Sequence, residues 1–262
     1  MHLKSLMALA LLAGAALPAA GQGAIRCTLL VDADTGKTLV RDGQCEQRVS
    51  PASTFKVAIS LMGYDSGILV DEQNPLLPFR AGYVDWLPEW RTATDPAAWM
   101  KLSVVWYSQQ LITRLGAERF QSYIDRFDYG NRDASGNPGK ADGLSQAWLS
   151  SSLKISPDEQ AVFLRKLVTR TLPVSRKAVD MTASIMRYPM LRNGWDLYAK
   201  TGTGSEPGMQ PHGWLVGWTT NGKRTVVFVR LVQDAKRENG ARAGLRVRDA
   251  FIKELPALLE RL

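Results

Sequence analysis

The stretch "GWLVGWTTNGKRTVVFVRLV", Gly213 to Val232, constrains the fold more than any other. Two apolar runs rich in β-branched and aromatic residues flank Asn221-Gly222, a dipeptide that supplies the positive φ angles of a tight hairpin turn. Just ahead of it, "WDLYAKTG" (Trp195 to Gly202) reads as a third strand, and Arg248 to Leu262 follows it as a closing helix. A second hairpin signal lies near the other end of the chain, in "CTLLVDADTGKTLV" around Asp34-Thr35-Gly36. The segment between them, from Ser53 to about Arg192, is mostly of helical character, with Pro- and Gly-rich loops between roughly 71 and 97 and between roughly 130 and 143. Both ends therefore contribute strands to one antiparallel sheet. The expected fold is α/β (α+β): a sheet lobe from 24–50 and 193–262, an all-helical lobe from 51–192, and a functional site at their junction. With 262 residues, 45% of them apolar, the chain can build a core of this size as a single domain.

The first residues have a different character. A short basic start, an apolar run from Leu6 to Leu17, Pro18 and then small residues are the layout of a secretory signal peptide over 1–21, cut between Ala19 and Gly23. The rival reading is a membrane anchor, but the run falls short of the roughly 20 residues a span needs, so no membrane span is expected in the mature chain. Export places Cys27 and Cys45, which flank the first hairpin, where a disulfide can persist; two buried free thiols are the alternative.

Elimination narrows the chemistry. The chain holds two histidines, His2 within the signal and His212, so a histidine-rich hydrolytic zinc site cannot be assembled and no metal is expected. A Ser-His-Asp triad would have to use His212, which reads as a loop residue ahead of a strand. The net charge is +8, but the positive residues are scattered and the four tryptophans from Trp86 to Trp106 lie among apolar segments, reading as core and not as a nucleic-acid surface. Serine chemistry here needs another base, and lysine is the leading one.

Ser53 and Lys56 in "SPASTFKVAIS" share a helix face, one turn apart. The same spacing recurs at Ser151 and Lys154, so the pair alone decides nothing. Its companions do. Roughly 50 residues after Ser53 stands Ser103-Val104-Val105, and roughly a hundred further on stands Lys200-Thr201-Gly202; this order fits Ser53 and does not fit Ser151. In such a set Ser53 is the nucleophile at a helix N-terminus, Lys56 reaches its hydroxyl and Ser103 relays a proton. Lys200 supplies fixed charge, Thr201 binds a carboxylate, and Gly202 lets substrate lie close to the backbone. The N–H groups of Ser53 and Thr203 form an oxyanion hole.

With "PASTFK" (Pro51 to Lys56), "SVV", "YGN" (Tyr129 to Asn131), "AWLSSSLKIS" (Ala147 to Ser156), "KTG" and "GWLVGW" (Gly213 to Trp218), the chain resembles the class D, oxacillinase-type serine β-lactamases over essentially its mature length. The resemblance implies a penicillin-binding-protein-like fold, an antiparallel sheet flanked by helices with a helical lobe. It also implies hydrolysis of β-lactam antibiotics through a serine acyl-enzyme. It implies no cofactor beyond carbon dioxide or bicarbonate, which N-carboxylates Lys56 into the general base of both half-reactions, supported by Phe55, Val105, Trp148 and Leu149. Carbamate formation needs a neutral amine, which an apolar wall favours. Tyr129, Gly130 and Asn131 are expected to hold the loop behind the site. By the family pattern Lys154 is exposed, on a helix whose Leu153 and Ile155 face inward. Arg248, or else Arg246, is the implied partner of the substrate carboxylate. Expected partners are a β-lactam and no nucleic acid, in a periplasmic monomer or homodimer. The alternatives at this stage are a peptidoglycan transpeptidase or carboxypeptidase, and a β-lactam sensor that acylates without turnover.

Overall fold

The computed structural model describes residues 26–233 and 242–262. The signal-peptide expectation and its cleavage point lie outside the described residues. Six antiparallel strands form one sheet in the order β2-β1-β6-β5-β4-β3. They are β1 (Arg26–Asp32), β2 (Thr38–Gly43), β3 (Arg187–Tyr188), β4 (Asp196–Gly204), β5 (His212–Thr220) and β6 (Thr225–Gln233). The Asn221-Gly222 hairpin joins β5 to β6, pairing Thr220 with Thr225. The first hairpin pairs β1 with β2 from Cys27–Gly43 onward, with an irregularity between Leu30 and Val31. Cys27 and Cys45 are joined in a disulfide, with Cα atoms 5.1 Å apart.

Both faces of the sheet are covered, which explains why the strands read as near-continuous apolar runs instead of clean alternation. Leu30, Leu197, Leu215 and Phe228 on one face meet Val247, Phe251, Leu255 and Leu259 of α8 (Ala243–Leu259). Leu29, Val31, Trp214, Val216, Val227 and Val229 on the other face join the large core shared with the helices. That core is built around α1 (Lys56–Asp65), buried at every position from Lys56 to Tyr64. A helix apolar on all sides can only be central. Around it lie α2 (Pro96–Leu102), α3 (Val105–Leu115), α4 (Ala117–Phe127), the single turn α5 (Gly143–Gln146), α6 (Pro157–Val168) and α7 (Arg176–Ile185).

Four expectations change. The range 51–192, read as wholly helical, contains β3, a strand too short to leave any period in the sequence. Its α6 also packs on β1 and β6 and so covers the sheet. The last helix begins at Ala243, five residues before the expected Arg248, because Gly244 lets its first turn close on β4. Of the four tryptophans read as core, Trp90, Trp99 and Trp106 are buried, but Trp86 is 64% exposed and only tilts against Trp90.

Candidate active site

Ser53 sits in a 3-10 turn (Ala52–Phe55) that runs directly into α1, whose first residue is Lys56. The turn is held by Thr54, whose N–H and hydroxyl both donate to the Pro51 carbonyl. Ala52, just before the serine, has φ 48°, a left-handed conformation that costs a non-glycine residue on the order of 1–3 kcal/mol. Lys56 Nζ lies 3.2 Å from Ser53 Oγ, as the helical spacing requires. Lys56 is completely buried, and burial, aided by the nearby charge of Lys200, pushes its pKa well below the usual lysine range. With burial and a neighbouring cation both disfavouring the ammonium, the neutral amine is the favoured form.

Phe55, the residue before Lys56, is set in an aromatic cluster. Phe55 lies against Phe120, Tyr129 and Trp148, with ring centroids 6.0, 5.0 and 5.7 Å away. Phe55 and Trp148 are fully buried, and Trp148 Nε1 has no hydrogen-bond partner among the described residues. A buried indole N–H is normally paired, so an unpaired one marks a place prepared for an acceptor.

Ser103 comes to the same place from the junction of α2 and α3. It ends α2 in a left-handed conformation, φ 62°, and this turn aims its hydroxyl at β4, where Lys200 Nζ donates to Ser103 Oγ at 3.0 Å and to the Thr201 carbonyl at 3.1 Å. Lys200 is 3% exposed, and burial together with the charges of Arg242 and Arg248 lowers its pKa to about 7. Ser53, Ser103, Val105, Leu149, Thr201, Thr203 and Arg248 line one cavity of 350 Å³, with Lys56, Lys200, Phe55 and Trp148 buried behind it. β4 pairs with β5 along its whole length but with β3 only at Leu197 and Tyr198, which leaves the edge from Lys200 onward open to a substrate.

Gly202 has a packing role at this junction. A Cβ there would lie 2.9 Å from the Pro51 carbonyl and 3.0 Å from Thr54, so the glycine lets β4 close against the nucleophile turn. Gly244 of α8 approaches the same point, donating to Thr203 Oγ1 at 2.9 Å. The two arginines separate cleanly: Arg248 lines the catalytic cavity, whereas Arg246 lines a different hollow with Arg26, Arg230 and Glu254. Arg248 is paired with Asp249 at 2.8 Å.

Two further expectations are corrected. Lys154 is not on a helix; it lies in an extended segment where Val49 and Ile155 form a bridge, and alternation there buries Leu153 and Ile155. Nor is it exposed, since its amine pairs with Glu206. His212 is the first residue of β5 and no loop residue; it is fully buried, its Nε2 2.9 Å from the Ser50 carbonyl oxygen, and burial lowers its pKa. The "YGN" triplet does hold the loop: Asn131 accepts from Lys154 N–H and donates to the Ser152 carbonyl, while Gly130 approaches the Lys154 carbonyl so closely that a Cβ would lie 2.0 Å from it.

The sequence reading missed Trp86, Glu89, Trp90, Lys101, Tyr188 and Arg242, which also line the cavity. Apart from Lys101, in the last turn of α2 just before Ser103, they come from irregular or chain-distant segments, and only Trp86 and Trp90 carried a signal, aromatics set among loop residues.

Comparison with known proteins agrees with this geometry. Residues 26–257 match the penicillin binding protein transpeptidase domain family. The chain is 42% identical over 244 residues to β-lactamase OXA-9 of Klebsiella pneumoniae, covering 90% of this chain and 88% of that one. The chain belongs to the class D β-lactamase family. OXA-1 of Escherichia coli is 38% identical over 75% of this chain and 71% of its own. The crystal structure of the OXA-427 class D β-lactamase superposes with a TM-score of 0.85 at 51% identity, covering 90% of this chain and 99% of that one. The family's shared sheet and helices are those described above. Among the described residues no helix is long and apolar enough to cross a membrane.

Proposed function

We propose that this protein hydrolyses β-lactam antibiotics, penicillins foremost, through an acyl-enzyme on Ser53. The observation that carries the proposal is the placement of Ser53 Oγ 3.2 Å from the wholly buried Lys56 amine, in a cavity whose other side presents the Ser103–Lys200 pair. The Ser53 oxygen attacks the lactam carbonyl, and the N–H groups of Ser53 and Thr203 receive the charge that develops on its oxygen. As the ring C–N bond breaks, Ser103 gives its hydroxyl proton to the departing nitrogen and regains one from the Lys200 ammonium that donates to its Oγ, and the proton taken from Ser53 restores that ammonium before water is activated. Water then attacks the Ser53 ester, releasing the opened acid and restoring the serine hydroxyl. Thr201, Lys200 and Arg248 bind the carboxylate that penicillins carry.

The base is Lys56 after reaction with carbon dioxide, the neutral amine adding to carbon and releasing one proton. The residues present fit that modification: burial favours the neutral amine, and Trp148, packed on the neighbouring Phe55, offers an unpaired N–H. When formed, the carbamate supplies an anionic base able to take the Ser53 proton and later that of water. The Phe55, Val105 and Leu149 side chains keep the site apolar and limit its water. The mature chain would act in the periplasm, without a resident metal.

Purified protein mixed with benzylpenicillin tests the reading. Steady turnover is expected, with loss of both turnover and covalent mass addition in Ser53→Ala. Stoichiometric acylation without turnover would point to a sensor, and absence of reaction would overturn the proposal.

A further inference from the structure

A half-buried ion pair lies outside the set of residues assigned above and touches the segment that carries the nucleophile. Glu206, three residues beyond Thr203 in the loop between β4 and β5, has a side chain only 9% exposed. Its Oε1 accepts from the Ser50 backbone N–H at 2.7 Å, and its Oε2 pairs with Lys154 Nζ. Ser50 stands three residues before Ser53 and is fully buried. Lys154 stands six residues after Trp148, with its main chain fixed by Asn131. One carboxylate thus joins three segments: the approach to the nucleophile, the end of the strand that supplies Thr203, and the segment that supplies Trp148.

We propose that Glu206, neutralised by Lys154, is a positioning residue that sets the Ser53 turn at its working distance from Thr203. The inference rests on the acyl-enzyme reading above. An oxyanion hole made of N–H groups from two separate segments works only if their spacing is fixed, because misplacement by about 1 Å can cost on the order of a hundredfold in rate. The covalent route between Ser53 and Thr203 runs through most of the chain. The route through Glu206 is short: Thr203 to Glu206 along the backbone, one hydrogen bond to Ser50, and the backbone to Ser53. Lys154 matters because its amine pairs with the other carboxylate oxygen and so holds the Glu206 side chain in the orientation that reaches Ser50.

Other contacts hold the fold without this tie. The Ser50 carbonyl accepts from Trp214 Nε1 at 3.0 Å and lies 2.9 Å from His212 Nε2, while Val49 and Ile155 exchange two backbone hydrogen bonds. Loss of Glu206 should therefore leave the fold intact.

Three variants test this. Glu206→Ala removes the acceptor, Glu206→Gln keeps an oxygen for the Ser50 N–H without the charge, and Lys154→Met removes the partner. Expected for Glu206→Ala is acylation by benzylpenicillin slowed roughly 10- to 100-fold, with KM changed by no more than about threefold and the thermal midpoint little altered. Glu206→Gln should recover most of the rate, and Lys154→Met should fall between them. Hydrogen exchange provides a readout independent of turnover: the Ser50 amide should lose protection in Glu206→Ala and keep it in Glu206→Gln. Wild-type acylation by Glu206→Ala, a Glu206→Gln as slow as Glu206→Ala, or an unchanged Ser50 amide would each overturn the proposal. Should the wild type itself fail to react with benzylpenicillin, the functional reading falls while the exchange arm still decides the tie.

Discussion

Lys56 and Lys200 are both buried amines, and burial disfavours the ammonium form of each. For Lys200, with a pKa lowered to about 7, the positive charge is present below that pH and lost above it. A substrate carboxylate attracted by Lys200 should bind less well as pH rises through 7, so the KM for benzylpenicillin should climb between pH 6 and 8. Lys200→Met should raise KM throughout and flatten that profile, costing roughly 10- to 100-fold in kcat/KM for a charge-assisted contact. A profile identical in mutant and wild type would remove Lys200 from carboxylate recognition. At Lys56 the same physics favours the neutral amine, and Lys56→Ala should fold but lose roughly 10²- to 10⁴-fold in turnover as a missing general base. Ser53, Lys56, Ser103 and Lys200 were legible because the chemistry fixes their types and helix and strand geometry fixes their local spacing. Glu206 and Arg242 were not, because each acts across a long sequence separation and neither sits in a patterned segment.

At the scale of elements, the contact of α8 with β4 decides whether the K-T-G strand stays in place. A Cβ on Gly244 would lie 2.4 Å from the Gly202 carbonyl, and neither backbone can yield without moving the Thr203 N–H. Gly244→Ala should destabilise the protein by about 1–3 kcal/mol and reduce acylation, checked by thermal melting and by burst kinetics. A variant with unchanged melting would show that α8 can shift freely. The β5–β6 hairpin was legible from Asn221-Gly222 and its flanking residues, a signal complete within the segment itself. The start of α8 was hidden because Gly244 weakens helical propensity, and its compensation lies in tertiary packing on β4. Two-residue β3 has no period to read, and it is defined only by its pairing with Leu197 and Tyr198. Lys154 was misplaced for a related reason: alternation over Leu153 to Ile155 is too short to tell an extended segment from a helix.

Across the whole molecule, chain ends are tied together. β1 pairs with both β2 and β6, and the Cys27–Cys45 disulfide closes a loop with a sequence separation of 18 at the sheet's edge. Replacing both cysteines by serine should cost about 3 kcal/mol, seen as a lower denaturant midpoint with the fold retained. Asp32, at the end of β1, accepts from the Thr35 N–H and hydroxyl and from Arg224 Nε, which together hold its carboxylate at about 2 against an ordinary 3.8. A lowered carboxylate pKa stabilises the folded state above 3.8, and that contribution disappears as pH falls toward 2; Asp32→Asn should therefore weaken the protein at pH 6 and bring its acid-unfolding curve closer to flat in that window. The sheet with a helical insertion could be read from the two terminal hairpins, whereas the packing of α6 on the sheet could not, since an apolar helix face does not say which partner it meets. The central claim, that Ser53 is acylated and released with a carboxylated Lys56 as base, is tested most directly by benzylpenicillin turnover in carbon-dioxide-depleted buffer before and after bicarbonate is restored. The account predicts turnover that falls on depletion and recovers with bicarbonate in the wild type but not in Lys56→Ala; turnover indifferent to bicarbonate, or retained by Lys56→Ala, would contradict it.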